Sequence, residues 1–315
     1  MTYQMGIELE IGAITLKAVA EAVEAAGGIL HNCSNLGTGG GHNTVYPYHT
    51  SARYGYNHGD SATTEKPVWK VERDGSIDNA HTGANTPDCF VDMTMTVKGV
   101  GELISPILYG KKGIFHIRKV AANLKAAGAV MNKGMGAHMT YGVNTNARFA
   151  RFGRSKKEAI TRRMKSVYTH YANVFDALSP NTRQMVRRDG CSSNYYCALP
   201  NDSKMSAIRV NSFVNYGIVE FRQPGHTLDI HNLTGWLKLT NSFISACMND
   251  NKKTKDGRKA MKVNLATEPK TLESLLNLTN PGSLTEDWAV GRVTRLMNNY
   301  TQNRENRRRV LGGEQ

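Results

Sequence analysis

No CxxC pair, no internal repeat and no apolar run long enough to cross a membrane occurs in this sequence. The missing CxxC argues against a structural zinc site. The five cysteines present, Cys33, Cys89, Cys191, Cys197 and Cys247, are an odd number at wide spacing, which fits reduced thiols better than a disulfide frame. Without about 20 consecutive apolar residues there is no candidate transmembrane helix. The first residues show neither a basic start nor an apolar stretch, and Glu8 and Glu10 stand where a secretory signal would need apolar side chains. A soluble, cytoplasmic protein with no membrane partner is the expectation. A further absence concerns nucleotide chemistry. The GTGGG run at 37–41 is followed neither by GK[ST] nor by a helical pattern, so the P-loop match fails.

What is present begins with a hydrophobic content of 40% over 315 residues, ample for one large domain or two ordinary ones. The formal charge of +14 is unevenly placed. Residues 1–150 hold 13 basic against 12 acidic side chains, whereas residues 151–188 hold 10 against 2. A concentrated basic segment attracts polyanions, although one basic helix can also be a plain solvated face. Tyr168 and Tyr171 interleave with that segment as stacking residues would, or as core residues at i and i+3 would. The end RENRRRV (304–310) adds basic charge and reads as a tail that need not be ordered.

Periodicity gives the element order. GIELEIG (6–12) alternates as a strand, 16–28 reads as a helix closed by Gly27 and Gly28, and 67–77 reads as a strand turning at Asp74-Gly75. Segments 89–97, 101–108 and 129–143 are further strands, 113–129 is an amphipathic helix, and 206–225 is a hairpin. The longest predicted helix is 155–179, with Ser155 as its cap and Glu158 three residues on. Helices follow at 230–249, 269–279 and 285–304. Residues 34–66 keep neither a period of 2 nor of 3.6, so a long glycine-rich loop, a candidate lid, is expected there. The class is α+β, with a mainly antiparallel sheet covered by helices on one face.

Side chains alternate across a strand, so Glu8 and Glu10 share one face of the first strand and Ile7, Leu9 and Ile11 the other. An ordinary half-buried strand would look the same. However, other strands also deliver polar groups: Asp74, Glu102 in ELISP, His138 in GAHMTYGV, and Glu220 with Arg222 in VEFRQPG. A sheet face lined with carboxylates repels itself unless cations sit on it, and hard divalent ions favour such oxygen donors. Arg222 beside Glu220 adds a planar donor fork suited to phosphate.

The ordered series GIELE, WKVERDGSI, ELISP, GAHM, RVN and EFR with GHTLD resembles the amidoligase family of glutamine-synthetase-like carboxylate–amine ligases, over roughly residues 5–245. The resemblance implies a curved, mainly antiparallel sheet that holds ATP with Mg²⁺ or Mn²⁺. ATP would phosphorylate a substrate carboxylate, and an amine would then attack the acyl phosphate to give an amide. Position by position, Glu8, Glu10 and Glu102 look like metal ligands, and His138 and Glu220 like the pair completing the ion that bridges the ATP phosphates, which makes His138 part of the nucleotide site. Arg222 looks like the contact to the transferring phosphoryl group, Arg209 like a second phosphate contact, and Asp74 like a metal or amine contact. Where the family often has H-x-H, this chain has Thr140 at the second position.

By the same resemblance, residues 1–250 form the catalytic domain, and residues 251–315 a helical extension with a basic tail. Expected partners are the amine and carboxylate substrates, with an acidic polymer or DNA on the 151–188 segment. Substrates of the family include peptides, amino acids and modified nucleotides, often in phages, so the compartment would be the host cytoplasm if the chain is phage-encoded. The rival reading is a non-catalytic nucleic-acid-binding or phage-associated protein that kept the ligase fold. For a cysteine enzyme using Cys191 or Cys197, no His or Asp context in the sequence singles out either cysteine.

Overall fold

The computed structural model describes residues 4–31, 67–72, 98–131, 135–143, 147–180, 206–225, 227–299 and 304–312. Asp74, the expected loop at 34–66, the expected strand at 89–97 and all cysteines but Cys247 lie outside the described residues. The architecture is α+β, with an open, mostly antiparallel sheet. Among the described residues no helix is long and apolar enough to cross a membrane. The chain divides into two compact units, Thr2–Met139 with His226–Leu233, and Thr140–Gly225 with Thr234–Gln315.

The first unit is organised around β1 (Gln4–Ile14). Its Ile7, Leu9 and Ile11 are buried to 1% or less, as the alternation requires. Thr15 caps α1 (Leu16–Ala25) by accepting a hydrogen bond from the Ala18 N–H, and Gly27 at φ +88° ends it. β2 (Ile29–His31) runs parallel to β3 (Val68–Glu72), and β3 pairs antiparallel with β4 (Gly99–Ile104). β4 pairs antiparallel with β1, and the short β5 (Leu108–Tyr109) pairs with the start of β1. The Glu10 N–H donates to the Gly136 carbonyl at 3.1 Å, at the entry to β6 (Ala137–Gly142), so β1 lies between β4 and β6. α2 (Gly110–Ala126) buries Ile117, Val120, Ala121 and Leu124, and its Asn123 amide ties it to the Ala22 carbonyl of α1. The strand expected over 129–143 is thus confined to β6, with Val130 making an isolated bridge to Gly12.

The second unit holds the rest of β6, β8 (Ile218–Phe221) and β7 (Ile208–Arg209), in that order. α3 (Ala147–Ala150) precedes α4 (Arg154–His170) and α5 (Ala172–Leu178), and α6 (Phe213–Tyr216) lies inside the β7–β8 connection. The continuous helix expected over 155–179 is therefore two. α4 buries a narrow stripe, Ile160, Met164, Val167 and Tyr168, whereas α5 buries five consecutive residues from Val174 to Leu178. One straight helix with a single apolar stripe cannot do both, so the chain breaks at Tyr171. Ser155 is not the cap. Gly153 starts the helix, and Glu158 pairs with Arg154 at 2.9 Å.

The C-terminal half continues with α7 (Ile230–Met248), a 3₁₀ turn at Ala260–Lys262, α8 (Leu272–Thr279), α9 (Ser283–Asn299) and α10 (Arg304–Val310). The expected helix over 285–304 is present as α9 through Asn299, with 300–303 outside the described residues, and the expected loose tail is the helix α10. Arg307 is fully buried there and donates to the carbonyls of Ala177 and Ser179, while Arg292 donates to that of Leu178. Two guanidiniums thus satisfy carbonyls at the C-terminus of α5, where orphan acceptors and the helix dipole both favour cations. Tyr168 and Tyr171 are core residues with no exposure, the Tyr168 ring stacking on Phe175 at 4.0 Å. They leave no aromatic platform on α4.

Candidate metal and active site

Within the first unit, strand pairing converts spacing into contact. Glu10 on β1 stands directly opposite Glu102 on β4, and Glu8 stands opposite Ile104, so both carboxylates of β1 and that of β4 share a face. β6 adds His138 to that face. Its Nδ1 is 3.2 Å from Glu8 Oε2 and 4.0 Å from Glu102 Oε1, and its Nε2 is 3.6 Å from Glu10 Oε1. Glu10, Glu102 and His138 are each exposed by 5% or less. The other Glu10 oxygen accepts the Gly136 N–H at 2.6 Å, which fixes the carboxylate toward the imidazole.

Three carboxylates around one imidazole in a nearly dry setting are costly unless a cation joins them. One ligand atom each from Glu10, Glu102 and His138 lies within 4.8 Å of the others, close enough to hold one metal ion. The donor set fits a hard divalent ion, and the nitrogen ligand favours Mn²⁺ over Mg²⁺.

In the second unit, Arg209 stands opposite Glu220 in the β7–β8 ladder, and Arg222 follows Glu220 by two residues. Arg209 Nη1 donates to Glu220 Oε2 at 2.7 Å and Arg222 Nη1 to Oε1 at 2.8 Å. The carboxylate is clamped between two guanidiniums, which holds both forks in one place. Thr140 is buried. Cys247 is buried in α7, and desolvation pushes its thiol up to about 12, so it is no nucleophile.

A family model described as "Putative amidoligase enzyme" matches residues 1–167, more than half of the chain. The chain belongs to the amidoligase family. No curated protein matches it. The matched segment contains Glu8, Glu10, Asp74, Glu102 and His138, while Arg209, Glu220 and Arg222 lie beyond it.

For this amidoligase-family chain, β3 carries residues that sequence reading passed over. Lys70 is 8% exposed and pairs with Ile104, the residue that also pairs with Glu8. The Cα of Glu72 pairs with that of Glu102. Register therefore puts Lys70 on the carboxylate face. The signal was the alternation in VWKVE, the same device as in GIELE, with Trp69 and Val71 fully buried between.

Proposed function

We propose that this amidoligase-family chain is an ATP-dependent carboxylate–amine ligase acting on a peptide, amino acid or modified nucleotide. The observation that carries the reading is the buried Glu10–Glu102–His138 cluster with Glu8 beside it, on three neighbouring strands. Glu8, Glu10, Glu102 and His138 would hold Mg²⁺ or Mn²⁺, which when bound would neutralise the charge of the ATP phosphates. Phosphoryl transfer asks a protein mainly for positioning and charge stabilisation. A substrate carboxylate oxygen attacks the γ-phosphorus and ADP leaves. The amine then attacks the acyl carbon, phosphate leaves, and the amine loses a proton as the amide forms.

The resemblance assigns Arg209 and Arg222 to phosphate contacts and Glu220 to a metal-ligand role in this reaction. Glu220 already orients both forks, so an incoming phosphate oxygen would exchange with the carboxylate as their partner. Asp74 is proposed as a metal or amine contact, as the resemblance implies.

The test is ADP release with Mn²⁺ or Mg²⁺ in the presence of pools of amino acids, polyamines, acidic peptides and modified DNA, for the native chain and for Glu10→Gln. ADP formed with one pool only, and reduced at least about 100-fold in the folded variant, supports the ligase. No Mn²⁺ binding and no turnover in any pool by folded protein would sink it, leaving the non-catalytic reading.

A further inference from the structure

We propose that the outer face of α2, together with Tyr109, is a docking surface for single-stranded nucleic acid. The proposal concerns the first unit alone and does not depend on the ligase chemistry.

Composition singles the helix out. GKKGIFHIRKVAANLKA carries four lysines and one arginine and no carboxylate, within a 150-residue stretch whose overall balance is near neutral. Its packing sends the apolar stripe of Ile117, Val120, Ala121 and Leu124 inward and leaves Lys111, Lys112 and Lys119 exposed. One large apolar side chain breaks that pattern. Phe115 is 57% exposed on the cationic face, with Lys119 Nζ 5.2 Å from its ring centre. Tyr109, just before the helix, is 51% exposed, and its hydroxyl accepts a hydrogen bond from Gln4 Nε2 at 2.8 Å, which fixes the ring. Among the described residues only three aromatic rings are exposed to this degree, and two of them are here.

Between the rings lies a cavity of about 380 Å³, lined by Pro67, Leu108, Lys112, His116 and Lys119 besides the rings themselves, and by no carboxylate. Of its lining, His116 is held through Nε2, which accepts the Trp69 N–H at 2.9 Å.

Exposed rings beside lysines suit a ligand that presents both flat π faces and phosphates. Single-stranded nucleic acid does so: its unpaired bases stack on aromatic side chains while cations follow its backbone. A duplex hides its base faces, and an acidic polypeptide presents a π face only where it carries an aromatic side chain rather than at every monomer. A membrane surface would need a continuous apolar stripe, whereas here each ring is flanked by lysine. The polyanion surface expected on residues 151–188 has the charge, but Tyr168 and Tyr171 are buried and Phe152, with Lys156 Nζ 4.4 Å from its ring centre, is less exposed than Phe115 and Tyr109.

The experiment is fluorescence anisotropy of the full chain with a labelled oligo-dT of about 16 nucleotides, titrated at salt from about 50 to 200 mM. Phe115→Ala is expected to weaken binding by about 5- to 100-fold, the loss of one base stack. Phe115→Trp should retain binding, with the new indole quenched by the DNA. Lys112→Ala should lower the slope of log affinity against log salt by about 0.7. Arg154→Ala with Arg162→Ala, on α4, should leave binding unchanged. The proposal is overturned by absence of binding at the lowest salt, by equal affinity of native and Phe115→Ala protein, or by loss of binding in the α4 variant. Binding to phosphatidylserine vesicles without binding to oligo-dT would overturn it in favour of a membrane surface. Phe115 is exposed, so its variants should melt at the native temperature, and circular dichroism checks that they do.

Discussion

A charge in a protein interior is held only by what surrounds it, and Glu10, Glu102 and Lys70, each 8% exposed or less, make that concrete. Lys70 shares the carboxylate face by register and offsets part of its negative charge. Lys70→Met is expected to lower metal-free stability by about 2 kcal/mol, with much of the loss restored by Mn²⁺; denaturant titrations with and without the ion measure this. His116 offers a second residue-scale test. Its Nε2 accepts the Trp69 N–H, so its proton sits on Nδ1, and burial, aided by Lys119, holds its pKa below the usual 6.5 against the opposing pull of the Ala26 carbonyl. The unfolded chain therefore takes up a second proton, on Nε2, more readily than the fold does. Stability is complete above pH 6.5 and falls as pH drops below it. In His116→Gln the fall in denaturant midpoint between pH 7.5 and pH 5.5 should be smaller than in the native chain.

At the scale of elements, two contacts decide how the second unit is built. α10 docks through Arg307, whose guanidinium reaches carbonyls at the end of α5. Arg307→Ala removes that donor and leaves a buried void, and should cost about 3 kcal/mol. Arg307→Lys should recover only part of this, because the fork is lost. On α7, Gly235 lies against Trp288 of α9 so closely that an added Cβ would fall 2.0 Å from the ring. Gly235→Ala should therefore destabilise by about 1–3 kcal/mol, despite alanine's better helix propensity. Urea midpoints of both variants settle these values. Periodicity located α1, α2, α4 and α9 because each buries one stripe, and it located α7 and α8 although both are buried over most of their residues. It merged α4 with α5 and left α10 as a tail because neither has a separable stripe: α5 is buried nearly all round, and α10 is buried through an arginine.

For the whole molecule, a divalent ion held by the carboxylate cluster, as proposed, would couple metal binding to folding. An ion that binds only the folded chain stabilises it by mass action, about 2.7 kcal/mol when present at 100 times its dissociation constant. Mn²⁺ is thus expected to raise the melting temperature saturably, EDTA to reverse the rise, and both Glu10→Gln and Glu102→Gln to abolish it. Differential scanning calorimetry across a Mn²⁺ series reads the effect directly. A melting temperature indifferent to Mn²⁺ and Mg²⁺ would show that the cluster holds no divalent ion.

The sequence alone determined the α+β class, the sharing of a face by Glu8 and Glu10, and the family, because these rest on a two-residue period and on ordered short motifs. Only the tertiary structure decided that Glu10, Glu102 and His138 meet, since strand order and register bring together residues up to 128 positions apart. It also decided that Lys70 stands on their face, that Arg209 and Arg222 share one carboxylate, and that two exposed aromatic rings lie on and just before α2 while Tyr168 of the equally basic α4 is buried. Charge and hydrophobicity are properties of a residue, legible in a string. Burial and juxtaposition are properties of pairs, and they exist only once the chain has folded.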